Sequence, residues 1–443
     1  MKKALSRVFL FYLRTLSKIQ LGKINPLIIG VGGSSGKTSV SYLVTLILEN
    51  NHKVRNNVGK NSETGIPLSI LNLDPGKYDL AGWLSVAIGA LMKVLTDFNK
   101  YEFLIIEMGI DGPKPPKNMG YLLTIVKPDV SILTNIALEH SVYFEDMVKD
   151  VAADNKADKI LEAIRSDQSL LIKKLNSNDF AVINEDDNNI KMELKDVKAN
   201  ILSVSSSDSK ANFLIKSWKP RIKDTTLKFS NEGEDYELKI KRPLPGIYAY
   251  STLLSIAAAK AVGVEISESI KTIEDKFDLP GGRLSVFEGI KDCVIIDSTY
   301  NNNLEAISAI LEMVSEISEG RRKGGIIGDI REQGEQAKGL HEKMAEKIMQ
   351  NLDYVILIGP LTAKFVQPIL EKHKFNSDSF ETYGKAREHI LKNIEKNDLI
   401  LIKGSQNTLF LERAVELLLK NKKDVDKLPR RGVFWDNKRA STA

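Results

Sequence analysis

Gly33-Ser34-Ser35-Gly36-Lys37-Thr38-Ser39-Val40 follows the apolar run Leu27-Ile28-Ile29-Gly30-Val31 and leads into Tyr42-Leu43-Val44-Thr45-Leu46-Ile47-Leu48. This order reads as a strand, a glycine turn and the start of a helix. Backbone N–H groups in such a turn, the positive helix end, a lysine and a hydroxyl can together hold a nucleoside triphosphate with its Mg²⁺. The long P-loop spacing would put its first glycine at Val31, so the general pattern fails. What is present is the shorter G-x-x-G-K-T, Gly33 to Thr38. ATP with Mg²⁺ is the expected ligand, touched by Gly33, Ser34, Ser35, Gly36, Lys37, Thr38 and Ser39.

Outward from this loop, apolar runs alternate with helical patterns: Phe103-Ile106 precedes Glu107, and Val130-Leu133 precedes Thr134-Asn135. Such alternation predicts an α/β fold with a doubly wound, mainly parallel sheet, whose functional groups sit at the carboxyl ends of the strands. Glu107 falls there, where a carboxylate can ligate Mg²⁺. Asn135 and His140 follow the next strand, and Lys156 lies on the helical run Val148 to Ile164. Each alone also fits an ordinary structural or solvated residue. From Ile201 to Lys241 shorter alternating stretches such as Thr225-Leu227-Phe229 predict a small antiparallel β portion. Helical periodicity returns at Ser251 to Val262. Past Leu279-Pro280-Gly281-Gly282 the runs Cys293-Ile296, Gly325-Ile327, Tyr354-Ile358 and Leu399-Ile402 predict a second, Rossmann-like domain. The divisions expected are 1–25, 26–279 and 280–443.

With 443 residues, 42% hydrophobic and 27% charged, a large core is available in two or three domains. Lys and Arg number 63 against 58 Asp and Glu, and the basic residues are scattered, so nucleic acid is not implied. Cys293 is the single cysteine, which excludes an internal disulfide and a Cys-based zinc site and fits a reducing cytoplasm. Met1 to Gln20 sets Lys2, Lys3, Arg7, Arg14 and Lys18 among Leu5, Val8, Phe9, Tyr12, Leu13 and Leu16 at helical spacing. This basic amphipathic helix, like the apolar stretch Leu80 to Leu95, is too short for a membrane span. Both are expected to pack on protein, with contact at the inner membrane face as the alternative.

Taken together, the motifs resemble the Mur ligase family, nearest its D-alanyl-D-alanine-adding branch. The resemblance rests on GSSGKTSV at 33–40, NSETGIPLSIL at 61–71, EMG at 107–109, KPDVSILTNIALEH at 127–140 and VINEDD at 182–187, and it continues in PGGRL at 280–284, DSTYNNN at 297–303, GDIREQGEQAKGLH at 328–341 and KGSQN at 403–407. It implies ATP-dependent amide formation through an acyl phosphate. Lys37 would contact the terminal phosphates, Thr38 and Glu107 one Mg²⁺, and His140 a second. Lys156 resembles the family's carbamylated lysine, with Lys159 as its alternative. Arg283 would reach ATP from the C-terminal domain, and Lys403 and Ser405 would bind the incoming dipeptide. Asp329, Arg331 and Glu332 lie in a family-typical loop without an assigned role.

The chain also departs from the family pattern. Gly246-Ile247-Tyr248-Ala249-Tyr250-Ser251-Thr252 replaces the stretch whose amides contact adenine, and Asp297 stands one place before the position of the ribose-binding aspartate, which Ser298 occupies. The nucleotide loop begins about 30 residues in, where the family carries a domain gripping the UDP end of the acceptor. The basic helix stands there instead, so the acceptor is expected to be held differently, supplied by a partner, or of another kind. The resulting expectation is a cytoplasmic ligase acting on small molecules: ATP, a muramoyl peptide and D-alanyl-D-alanine or a similar amine. The alternatives are a polyglutamylating or amidating ligase on the same scaffold, and a non-catalytic ATP-binding module tethered by its N-terminal helix.

Overall fold

The computed structural model describes residues 2–74, 76, 79–138, 143–144, 147, 153–331, 333–404 and 409–440. The chain divides into two units. The first comprises residues 1–217, 227–238 and 247–277, and the second 218–226, 239–246 and 278–443.

The first sheet uses β1 (Leu27–Gly32), β2 (Val54–Asn56), β3 (Phe103–Glu107), β4 (Val130–Leu133), β5 (Phe180–Asn184), β6 (Asn200–Ser205), β7 (Phe213–Pro220), β8 (Thr225–Asn231) and β9 (Glu234–Ile240). Their order is β2-β3-β1-β4-β5-β6-β7-β8-β9, and the pairs from β2 to β7 are parallel. Continuous apolar runs such as Phe103-Leu104-Ile105-Ile106 form these strands because both faces of a parallel sheet are covered. Leu104, Ile106, Leu133 and Ile183 enter one core cluster with Met119, Leu122, Ile164 and Leu171. Their neighbours Ile105 and Ile132 alternate to the other face, where the helix Lys37–Leu48 lies beside the helix Ile247–Ala261. Each such side chain taken wholly out of water contributes about 1.5–3 kcal/mol.

The antiparallel expectation from Ile201 onward needs a correction. Strand β6 pairs parallel with β5, Ile201 opposite Ala181. Its inward residues continue the buried parallel face, and the alternating pattern acquires its hairpin meaning only later. Between β8 and β9 the turn residues Glu232 and Gly233 have φ of 52° and 86°. Two successive positive φ angles make the tight turn of a hairpin, and four residues between β7 and β8 are too few for a parallel crossover.

In the second unit β10 (Ser285–Glu288), β11 (Val294–Ser298), β12 (Lys323–Gly328), β13 (Tyr354–Ile358), β14 (Ser377–Phe380) and β15 (Leu399–Lys403) form a sheet ordered β10-β11-β15-β12-β13-β14. Only β10 runs antiparallel to its neighbour. Ile295, Ile326, Ile356 and Ile400 pack with Ala386, Ile390 and Val415 from helices on one face. Cys293 is buried in the same cluster, as a core thiol.

The N-terminal helix spans Lys2–Ile24 and the second apolar stretch forms the helix Leu80–Thr96. Leu13 and Leu16 pack with Leu68, Leu71, Val86, Ala90 and Val94. Among the described residues no helix is long and apolar enough to cross a membrane.

Candidate functional site

The loop after β1 owes its shape to two glycines. Gly33 has φ 130°, and a Cβ there would stand 2.1 Å from Thr134 Oγ1; Gly36 has φ 79°. Both conformations disfavour L side chains. The helix Lys37–Leu48 starts directly after Gly36 with no side chain capping its first turn. Its leading N–H groups therefore point outward as donors at the positive helix end, an arrangement that binds anions.

Neighbouring strands hold the loop in place. Ser34 N–H donates to Asn135 O at 2.8 Å, and Ser35 N–H donates to Asn135 Oδ1 at 2.8 Å. Asn135 Nδ2 donates in turn to Ser35 Oγ at 2.9 Å, and Thr134 Oγ1 to Ser35 O at 2.6 Å. Both ends of the Asn135 amide thus serve the loop. Ser34 Oγ accepts from Ala137 N–H and donates to Ala137 O. The Lys37 ammonium folds back over the turn, donating to Gly33 O and Ser34 O, each at 2.6 Å. Ser39 is half-buried in the first helical turn.

Glu107 closes β3 and is only 4% exposed. Thr38 Oγ1 donates to its Oε2, and Asn61 Nδ2 to its Oε1, each at 3.1 Å. Asn57 bonds the Glu107 backbone at both ends: its Oδ1 accepts from Glu107 N–H at 2.7 Å and its Nδ2 donates to Glu107 O at 2.9 Å. The roles of Asn57 and Asn61 were not read from the sequence. Asn61 lies in the NSETG stretch, whereas nothing in the pattern singles out Asn57.

An exposed threonine hydroxyl beside a nearly buried carboxylate offers hard oxygen donors, the kind that hold Mg²⁺ when phosphate and water oxygens complete its shell. The residues present therefore fit Mg²⁺. Among the described residues no group of three His, Cys, Asp or Glu is placed to hold a metal. His140, expected at a second Mg²⁺, lies outside the described residues, as do Ser405 and Glu332. Lys156 is exposed on the helix Ala153–Gln168, and no hydrogen bond among the described residues joins it to the loop. Lys159 is also exposed and pairs with Glu162 at 2.7 Å.

In the stretch that replaces the family's adenine-contacting amides, Tyr250 sits on the helix Ile247–Ala261 and donates to Asp186 Oδ2 at 2.5 Å. Asp186 also accepts from Ser205 Oγ, Ser206 N–H and Ser207 Oγ. Partial burial raises the Asp186 pKa, but these four donors outweigh it and hold the carboxyl well below the usual range. Burial and the negative partner push the Tyr250 phenol up to about 12.

The remaining expected residues lie in the second unit. The Arg283 guanidinium is exposed and stacks over the Tyr300 ring at 4.7 Å. Asp297 is wholly enclosed and accepts from Thr299 N–H at 3.0 Å and Thr299 Oγ1 at 2.7 Å. Lys403 ends β15 at 3% exposure and donates to Asn301 O. Burial first, then the nearby Arg283 cation, lowers its pKa to about 7, against an opposing pull from Asp297. Asp329 receives the N–H groups of Leu361 and Thr362, which begin the helix Pro360–Phe365. Asn303 caps the helix Leu304–Glu316 through Ala306 N–H at 2.7 Å. His341 Nε2 accepts from Ile330 N–H, so its Nδ1 carries the proton donated to Ala337 O.

Residues 31–259 match the family model of the Mur ligase middle domain, and residues 282–406 that of the Mur ligase glutamate ligase domain. The chain is 24% identical over 411 residues to the UDP-N-acetylmuramoyl-tripeptide–D-alanyl-D-alanine ligase of Buchnera aphidicola (subspecies Acyrthosiphon pisum), covering 89% of this chain and 77% of that one. It is 26% identical over 427 residues to the enzyme of the same name from the Baizongia pistaciae subspecies, covering 91% and 79%. Its fold is similar to that of the MurF ligase from Thermotoga maritima in complex with ADP, with a TM-score of 0.68 at 23% identity over 94% of this chain and 84% of that one.

Proposed function

Because the chain belongs to the Mur ligase family and is an ATP-dependent acid–amino acid ligase, we propose that it joins D-alanyl-D-alanine to a muramoyl peptide in peptidoglycan precursor synthesis. The observation that carries this reading is the Gly33–Val40 loop with Thr38 held against Glu107, in a chain similar over most of its length to ligases named for that reaction.

In the proposed reaction the acceptor carboxylate attacks the γ-phosphorus of ATP, and the bond to the β-phosphate oxygen breaks. ADP leaves and an acyl phosphate remains. The dipeptide amine then attacks the acyl carbon, loses its proton and expels inorganic phosphate. Two like-charged groups must meet in the first step, so cationic neutralisation is its main requirement. The outward N–H groups at Lys37 to Ser39 would bind phosphate oxygens, and the Lys37 ammonium would exchange its two loop carbonyls for them. Thr38 and Glu107 would hold Mg²⁺, which when bound supplies charge neutralisation. Asn61 orients the carboxylate for that task.

The remaining assignments are proposals from motif position: Lys156 as the modified lysine, His140 at a second Mg²⁺, Arg283 and Asp297 toward the nucleotide, and Lys403 and Ser405 toward the amine. The test is phosphate release by the purified protein. Release is expected only when ATP, a muramoyl tripeptide and D-alanyl-D-alanine are all present, and Lys37→Ala should abolish it. Release with glutamate and a folate but not with the muramoyl pair would overturn the proposal.

A further inference from the structure

The N-terminal helix and the helix Leu80–Thr96 lie side by side and run in the same direction. Phe9 meets Trp83 ring to ring at 5.4 Å, Tyr12 Oη donates to Ala87 O at 2.7 Å, and Lys23 Nζ donates to Val94 O at 2.5 Å, in the same order along both. Each helix buries one stripe in protein and turns another outward. On the second helix Leu84, Ile88, Leu91 and Leu95 recur at spacings of four, three and four, which places them on one face. Ile88 and Leu95 are each 60% exposed, as is Phe11 on the first helix. Four residues before Tyr12 and seven after it, on the same helical face, Val8 and Ile19 are 65% and 48% exposed, so the outward apolar stripe of the first helix borders that of the second along the seam at Tyr12 and Ala87. A monomer in water rarely exposes a continuous apolar face of this kind without a use for it.

Charge narrows the choice of partner. Neither helix contains an Asp or Glu, while the first carries Lys2, Lys3, Arg7, Arg14, Lys18 and Lys23 and the second Lys93. Arg7 and Lys18 are exposed on the flank beside Phe11. A second copy meeting this face across a two-fold axis would bring cation against cation. A nucleic acid would find no use for the leucines. Apolar side chains bordered by cations, on helices unable to span a bilayer, suit the surface of an anionic one.

We propose that the paired outward faces of Lys2–Ile24 and Leu80–Thr96 dock this protein on an anionic lipid bilayer. The leucines and Phe11 enter the acyl boundary while Arg7 and Lys18 meet headgroup phosphates. The full chain should sediment at low salt with vesicles of phosphatidylcholine containing phosphatidylglycerol, and not with phosphatidylcholine alone. Arg7→Ser with Lys18→Ser should weaken this about thirtyfold, and Ile88→Ser with Leu95→Ser on the order of tenfold or more. All four positions are exposed, so both variants should keep the wild-type circular dichroism spectrum and thermal midpoint. Failure of the wild type to sediment, equal binding to neutral vesicles, or unchanged binding by both variants would overturn the proposal. So would concentration-dependent self-association lost in Ile88→Ser with Leu95→Ser while vesicles are ignored, since that result assigns the face to a second copy.

Discussion

The hydroxyl of Thr38 and the carboxylate of Glu107 stand 3.1 Å apart, joining the first turn of one helix to the end of the strand beside it. This contact sets a carboxylate where phosphate charge would gather. Glu107→Gln keeps the shape, with an amide oxygen that can still accept from Asn61 and an NH2 that would donate to the Thr38 hydroxyl, but it removes the negative oxygen. It should lower kcat on the order of a hundredfold, the equivalent of losing several kcal/mol of charge stabilisation. Thermal unfolding should change little, and steady-state phosphate release across a Mg²⁺ titration would measure the effect.

Asn57 has the opposite profile, supporting the site without facing it. Asn57→Ala would leave the N–H and the C=O of Glu107 without partners in a buried setting. The expected loss is about 2–4 kcal/mol in urea unfolding, with activity falling as the carboxylate drifts. A variant as stable as the wild type would show that water replaces the amide.

Lys403 should make stability depend on pH in an unusual direction. Its folded pKa near 7 lies below its unfolded 10.5. Above about pH 7 the unfolded chain therefore keeps a proton that the folded chain releases, and folded stability rises with pH by up to about 1.4 kcal/mol per unit. Lys403→Met removes this dependence. Its stability advantage should be greatest near about pH 6 and shrink toward about pH 9; parallel denaturation curves across that range would contradict the buried, depressed ammonium.

Lys156 can be tested chemically. If a carbamate at this position supplies the oxygen anion that the motif implies, Lys156→Ala should lose activity on the order of a hundredfold. Small carboxylates added to the assay should restore part of it. A fully active variant would move the role to Lys159 or remove it.

The parallel strands were legible because burial on both faces demands unbroken apolar runs: Phe103-Ile106, Val130-Leu133 and Tyr354-Ile358 each became a strand. The edge strand Ser377–Phe380 was not, since its Ser-Asp-Ser start carries no such run and its residues are only half-buried. At the site, the glycines and Lys37 announced themselves through spacing that phosphate binding requires. Asn57 did not, because its partner is the backbone of a residue 50 positions away. Burial of Lys403 was equally hidden, as a lysine ending an apolar strand reads as a solvent-facing cation. The departure at Tyr250 was visible as a substitution, but its meaning came from Asp186 and the serine cluster, which only the fold brings to it.

The back-folded Lys37 gives the loop an internal competitor. Any incoming anion must outbid the Gly33 and Ser34 carbonyls for the ammonium, and a singly charged ion offers little more than they do. An anion with several negative oxygens can take the ammonium and the helix-end N–H groups at once. The loop would thus act as a valence filter, indifferent to scattered small anions and responsive to polyphosphate, before any feature of the base or sugar is consulted.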